Sequence, residues 1–158
     1  AINNYCQINF GRLNWPLNII EYGWIYNMPH IIIEYSENLE QKINLDSLIE
    51  KIHISALDTG VFPLGGLRIR TAKREHYKIA DGHQDNMFIH IELKIGPGRD
   101  EETKTSALKK IFTTVEAYLK PIHENGPLAM SAELNEFNSE LRINQNNIHK
   151  YLEERANA

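Results

Sequence analysis

The chain has 158 residues, of which 42% are hydrophobic and 24% are charged, and its formal net charge is −4. This length and balance fit one globular domain and argue against a disordered or fibrous chain. No long basic stripe is present, which excludes a general nucleic-acid surface, and no apolar run approaches the ~20 residues of a membrane-spanning helix. Cys6 is the single cysteine, so a disulfide framework and a cysteine-based metal site are both excluded.

The first 27 residues differ in kind from the rest. They hold both tryptophans and no lysine, and they show no sustained helical or strand period. We interpret residues 1–28 as an N-terminal extension that is foreign to the working protein, with Met28 as the natural start and residues 29–158 as the domain. The alternative is a genuine arm that packs on the domain. No signal-peptide pattern opens the chain, which favours a cytoplasmic protein.

From residue 30 onward the pattern becomes regular. The segment His30–Ser36 is rich in β-branched residues and predicts a strand. Asn44 can cap a helix whose leucines and isoleucines recur at helical spacing, and Gly60 is its expected left-handed stop. A turn at 62–66 then leads into a second predicted strand at 67–71.

A second unit of the same kind follows a polar stretch at 73–86. The segment Phe88–Ile95 alternates apolar and polar residues and predicts a strand. Asp100 can cap a helix that we expect to continue to about Lys120, where Pro121 would stop it. The pattern then predicts a fourth strand at 128–134 and, in the tail at 143–154, a turn or short strand followed by a helix.

Two β-α-β units in series predict an α/β (α+β) fold, with a four-stranded sheet and both helices on one face. The other sheet face is then uncovered, and we expect it to be apolar and to meet another subunit. An apolar patch much beyond ~300–600 Å² is unusual on a monomer. The residues expected to contribute to that patch are Ile31, Ile33, Ile89 and Ile91.

Five motifs occur in order along this domain: Met-Pro-His at 28–30, Thr-Gly-Val-Phe-Pro-Leu-Gly-Gly-Leu-Arg-Ile-Arg at 59–70, Ala-Asp-Gly at 80–82, Leu-Lys-Ile-Gly-Pro-Gly-Arg at 93–99 and Gln-Asn-Asn at 145–147. In this order and spacing they resemble the 5-carboxymethyl-2-hydroxymuconate isomerase family of the tautomerase superfamily. The resemblance implies a homotrimer and an isomerase (keto-enol tautomerase) that converts 5-carboxymethyl-2-hydroxymuconate to its 2-oxo isomer in homoprotocatechuate (aromatic acid) degradation. It implies a small-molecule dienol substrate and neither a metal nor an organic cofactor.

The same resemblance implies the site. Pro29 would be an N-terminal general acid/base, and Arg68 and Arg99 fall at the positions of the family's two active-site arginines. The chemistry of these residues agrees, since a free α-amino group titrates near ~7.7–8 and a guanidinium matches a carboxylate in bidentate geometry. The further residues expected to contact substrate are His30, Phe62 and Phe88, and Arg70 is a weaker candidate.

One alternative to an active isomerase stays open. Within the 158-residue chain the nitrogen of Pro29 is a tertiary amide that cannot carry a proton, so the second reading is a tautomerase-fold trimer that is inactive or serves as a binding module. His76, His83 and His90 lie near Asp81 and Asp85 in the sequence, a grouping that could suggest a metal site. No two of these histidines have the i, i+4 spacing of a zinc helix motif, so we expect surface histidines and no metal.

Overall fold

A four-stranded mixed sheet organises the part of the chain that the computed structural model describes, residues 28–157. The strands are β1 (His30–Ser36), β2 (Arg68–Arg74), β3 (Met87–Ile95) and β4 (Leu128–Glu136). The helices are α1 (Glu37–Glu40), α2 (Leu45–Asp58), α3 (Glu101–Asn125) and α4 (Ile148–Ala156), with a short 3₁₀ turn at Ser139–Leu141 before α4. Of the predicted extension at 1–28, all but Met28 lies outside the described residues.

The sheet confirms the two fused β-α-β units. Its order is β2-β1-β3-β4, with β1 parallel to β2 and β3 parallel to β4. The two units meet through the antiparallel pair β1 and β3. This register sets His30 between Arg68 and Lys94, at the end of the sheet where β1 begins.

Side-chain caps fix where the two long helices begin. The side chain of Asn44 accepts a hydrogen bond from the N–H of Ser47 at 2.9 Å, and that of Asp100 accepts one from the N–H of Thr103 at 2.7 Å. Each bond satisfies one of the donors that a helix N-terminus leaves without an intrahelical partner. Gly60 follows α2 with φ +72°, the left-handed conformation expected of a stop.

Helix α3 does not stop at Pro121, and that prediction is wrong. The helix runs through the proline to Asn125. Pro121 lacks the N–H that would bond to the carbonyl of Ala117, but both residues are exposed, so water can satisfy the free carbonyl. The buried stripe that includes Val115 and Leu119 anchors the helix up to the proline.

The hydrophobic core lies between α2, α3 and one face of the sheet. Helix residues such as Leu48, Ile52 and Ile111 are fully buried there. The four isoleucines expected on the uncovered face, Ile31, Ile33, Ile89 and Ile91, belong to this core and are at most 1% exposed. The prediction that these isoleucines lie on the uncovered face is therefore wrong. Alternate residues of a strand face opposite sides of the sheet, and the four isoleucines lie on the side that α2 and α3 cover.

The opposite sheet face is polar and charged. Glu34 forms an ion pair with Arg74, Lys94 lies 3.0 Å from Glu92, and the Nδ1 atom of His90 lies 2.8 Å from the hydroxyl of Ser131. The four isoleucines expected in an apolar patch therefore do not lie on this face. Within residues 28–157, no helix is long and apolar enough to cross a membrane.

Candidate active site

Pro29 lies immediately before β1 and is buried. Its carbonyl oxygen accepts a hydrogen bond from the N–H of Arg68 at 3.1 Å, which extends the β1–β2 pairing by one step. A proline fits this position because a strand's first residue need not donate to the ladder. The beginnings of β1 and β2 thus bring Pro29 and Arg68 together.

The Pro63–Gly66 turn directs the Arg68 side chain. The N–H groups of Gly66 and Leu67 both donate to the carbonyl of Pro63, at 3.0 and 2.9 Å. The guanidinium of Arg68 donates in turn to the carbonyl of Gly66. The turn therefore fixes both the start of β2 and the orientation of its first side chain.

His30 is surrounded by positive charge. Its Nδ1 atom lies 3.0 Å from the guanidinium of Arg70, and its Nε2 atom lies 3.5 Å from that of Arg142. Burial acts first to lower the pKa of the imidazole below its ordinary value, and four neighbouring cations act in the same direction: Arg70, Arg142, Arg68 and Lys94. A chain with net negative charge has thus concentrated cations at one end of its sheet, which is an arrangement suited to binding an anion.

Arg142 is the residue that the sequence analysis missed. It follows the 3₁₀ turn, and its guanidinium donates to the carbonyl of Met28 at 2.7 Å and lies 3.7 Å from the ring centre of Phe137. Burial, and then the positive charge of Arg68, lower the pKa of Arg142. Its one signal in the sequence is its position just ahead of the Gln-Asn-Asn motif at 145–147.

The Gln-Asn-Asn motif attaches the C-terminal segment to the turn before β2. The side-chain amide of Asn146 donates to the carbonyl of Gly65 at 2.9 Å and its oxygen accepts from the N–H of Ile148 at 3.0 Å. The Asn146 amide thus bridges Gly65 and the start of α4. The motif therefore has a positional role beside the site.

Arg99 lies at the same end of the sheet but in a different environment. Its guanidinium donates to the carbonyl of Val61 at 2.8 Å and to that of Gly96 at 3.1 Å. Burial lowers its pKa, while the negative charge of Glu136 acts in the opposite direction. No described contact joins Arg99 to Pro29, so its contact with substrate stays a prediction.

The two predicted phenylalanines occupy different parts of the fold. Phe62 is fully buried in the core. Phe88 lies at the far end of β3, where its backbone bonds to the hydroxyl of Ser36 at the last position of β1. Their role in substrate binding stays untested. Among residues 28–157, no group of three or more His, Cys, Asp and Glu side chains is placed to hold a metal ion.

Comparison with known proteins gives consistent matches. The family model for 5-carboxymethyl-2-hydroxymuconate isomerase matches residues 29–152. The chain is 35% identical over 122 residues to a 5-carboxymethyl-2-hydroxymuconate Delta-isomerase of Escherichia coli, a match that covers 77% of this chain and 97% of that protein.

Solved structures agree on the fold. A 5-carboxymethyl-2-hydroxymuconate isomerase from Deinococcus radiodurans R1 superposes with a TM-score of 0.74 at 31% identity, covering 80% of this chain and 95% of that one. A fused 4-OT described as a symmetric trimer gives a TM-score of 0.55 at 16% identity, covering 74% of this chain and 94% of that one. The second match shows likeness of fold alone.

Proposed function

This chain belongs to the 5-carboxymethyl-2-hydroxymuconate isomerase family, and we propose that this isomerase uses Pro29 as its acid/base group when Pro29 is the amino terminus. The observation that carries the proposal is the position of Pro29. It is buried at the start of β1 beside Arg68, at the end of the sheet where His30 has four cations around it. The family match also begins at Pro29.

The proposed reaction is a proton transfer within a dienol. The free amine of Pro29 takes the proton of the 2-hydroxyl group and returns a proton to a carbon of the conjugated chain, which leaves a 2-oxo product. A single group serves as base and then as acid. Nearby cations favour the unprotonated amine, so the pKa of Pro29 should lie below that of a free α-amino group, near the working pH.

Arginines are proposed to hold the substrate's carboxylates. The backbone N–H of Arg68 donates to the Pro29 carbonyl, so Arg68 begins β2 directly beside Pro29. To bind a substrate carboxylate, the guanidinium of Arg99 would leave the carbonyl groups of Val61 and Gly96. Alternatively, it would bind a substrate that another copy of the chain partly holds. A cation beside the 2-oxo end would stabilise the negative charge that spreads onto oxygen in the transition state.

Residues 1–28 are proposed to be absent from the active form. With Met28 attached, Pro29 nitrogen is an amide and has no titratable proton site. The expected position of Tyr26 and Asn27 over the pocket lies outside the described residues. The structure does describe Met28. Its carbonyl group, which forms the amide bond with the Pro29 nitrogen, accepts a hydrogen bond from the guanidinium of Arg142. The homotrimer and the cytoplasmic location are proposed together with this activity.

The test compares chains that differ at the amino terminus. One begins at Pro29, one retains Met28, and one is the 158-residue chain, each verified by intact mass. The decay of the dienol absorbance is followed for 5-carboxymethyl-2-hydroxymuconate across pH. We expect activity in the first chain alone, rising through one ionisation near or below neutrality. Equal activity in all three would rule out the amine mechanism and make His30 the nearest candidate base.

A further inference from the structure

Arg142 offers hydrogen-bond donors beside Pro29 that no protein group fully uses. One terminal guanidinium nitrogen donates to the carbonyl of Met28. The other is buried and has no hydrogen-bond partner within residues 28–157. A chain that begins at Pro29 does not contain the Met28 carbonyl. In such a chain the first nitrogen loses this acceptor, and the second nitrogen has none to lose. A guanidinium so placed matches the two oxygens of a carboxylate.

His30 presents a third donor to the same place. Its Nδ1 atom lies 3.0 Å from the guanidinium of Arg70, and its Nε2 atom lies 3.5 Å from that of Arg142. A guanidinium can only donate and a neutral imidazole has one acceptor nitrogen, so the shorter contact makes Nδ1 the acceptor. In a neutral imidazole the ring proton is then on Nε2, the atom that faces Arg142 at 3.5 Å. The lowered pKa of His30 supports the neutral form. Two donors that face each other have no acceptor between them.

We propose that, in the chain that begins at Pro29, Arg142 and the Nε2–H of His30 together bind one carboxylate of the substrate, that of its carboxymethyl group. This assignment rests on the proposed function, in which Arg68 and Arg99 serve the two carboxylates at the ends of the muconate. A 5-carboxymethyl muconate carries a third carboxylate. Arg142 supplies the third guanidinium.

The position of Arg142 is prepared for this role. The ring of Phe137 supports the guanidinium at 3.7 Å, a cation–π contact that holds it in place before substrate arrives. After burial, the positive charge of Arg68 is what lowers the pKa of Arg142, so the two guanidinium groups repel each other. An incoming carboxylate would relieve that repulsion as well as accept the hydrogen bonds.

The test separates the carboxymethyl group from the rest of the substrate. Chains beginning at Pro29 are suitable because the described residues contain the whole sheet and core and match 95% of a solved chain. The variants are Arg142→Ala, Arg142→Lys and, as the matched control, Arg155→Ala, an exposed arginine in the last turn of α4. Each is measured with 5-carboxymethyl-2-hydroxymuconate and with 2-hydroxymuconate, followed as a substrate or as a competitive inhibitor, and each is melted thermally.

We expect Arg142→Ala to lower kcat/KM for the carboxymethyl substrate roughly 10- to 100-fold, which is the loss typical of a charge-assisted contact. The kcat/KM or inhibition constant for 2-hydroxymuconate should change less than about two-fold. Arg142→Lys should recover part of the loss, and Arg155→Ala should match the parent chain.

Equal losses for both ligands would show a structural role, and no loss would also overturn the assignment. A parent chain that turns over neither compound would instead refute the proposed function itself.

Discussion

The imidazole ring of His149 lies directly against Gly65. A Cβ atom built on Gly65 would come within 2.4 Å of two atoms of that ring. Gly65 is buried in the turn that precedes Arg68, and His149 is in the first turn of α4. The absence of a side chain at Gly65 therefore lets the C-terminal helix pack against the turn that directs Arg68.

Gly65→Ala should destabilise the fold by about 1–3 kcal/mol, the cost typical of overpacking, because the His149 ring must move to admit the methyl group. Thermal or urea denaturation measures the loss. Gly126→Ala is the matched control, since a Cβ there would meet its nearest side-chain atom at an ordinary 3.6 Å.

Adding His149→Ala to Gly65→Ala should restore part of this stability, because the smaller side chain removes the clash. The double variant should then lose less than the sum of the two single losses. Strict additivity would mean that the two residues do not interact.

Arg68→Ala and Arg99→Ala should each lower kcat/KM for the dienol while leaving the fold intact. Each removes a charge-assisted contact worth ~1.5–3 kcal/mol, or about one to two decades in rate. Arg→Lys should rescue only partly, since an ammonium group cannot form the bidentate fork. Unchanged kinetics for both alanine variants of a chain that begins at Pro29 would refute the assignment.

His30 should make the fold less stable in mild acid. Its pKa is lowered in the folded chain, so below ~6.5 the unfolded chain binds the proton more readily than the folded one does. Stability therefore falls as pH drops from the unfolded pKa towards the folded pKa. Thermal melts between pH 5 and 7.5 should show that the melting temperature falls less with decreasing pH in His30→Gln than in the parent chain. An identical pH dependence of the melting temperature in the two chains would contradict this.

Asn44→Ala should cost about 0.5–2 kcal/mol of unfolding free energy, because the N–H of Ser47 loses the side-chain acceptor that caps α2. Asn44→Asp keeps the acceptor and should retain most of the stability. The midpoints of urea denaturation measure both. Similar losses for the two variants would show that the cap contributes little.

Sedimentation of the 158-residue chain should give a particle of three times its 18.3 kDa mass, since a trimer is the expected assembly. The open sheet face does not favour a trimer through apolar contact, because that face carries charged pairs such as Arg74 with Glu34. A polar interface of this kind should weaken at high salt more than an apolar one would. A monomer at every concentration tested would refute the trimer.

The local pattern of the sequence was sufficient for most of the elements. Asn44 and Asp100 cap the helices as predicted, because capping depends on residues only three positions apart. The alternation in β3 identified a strand and separated its two faces. It did not say which face the helices cover, and the apolar residues of β1 and β3 were consequently assigned to the wrong side of the sheet.

The sequence by itself determined the two β-α-β units, the motif that places Pro29 before β1, and the arginine at the start of β2. These follow from periodicity, capping and turn residues, which act over a few positions. Only the tertiary structure brought Arg142 to Met28, across 114 positions of the chain. The contact between Arg142 and Met28 depends on the path of the segment after β4, which Asn146 attaches to Gly65. No local sequence pattern encodes a contact between residues so far apart in the chain.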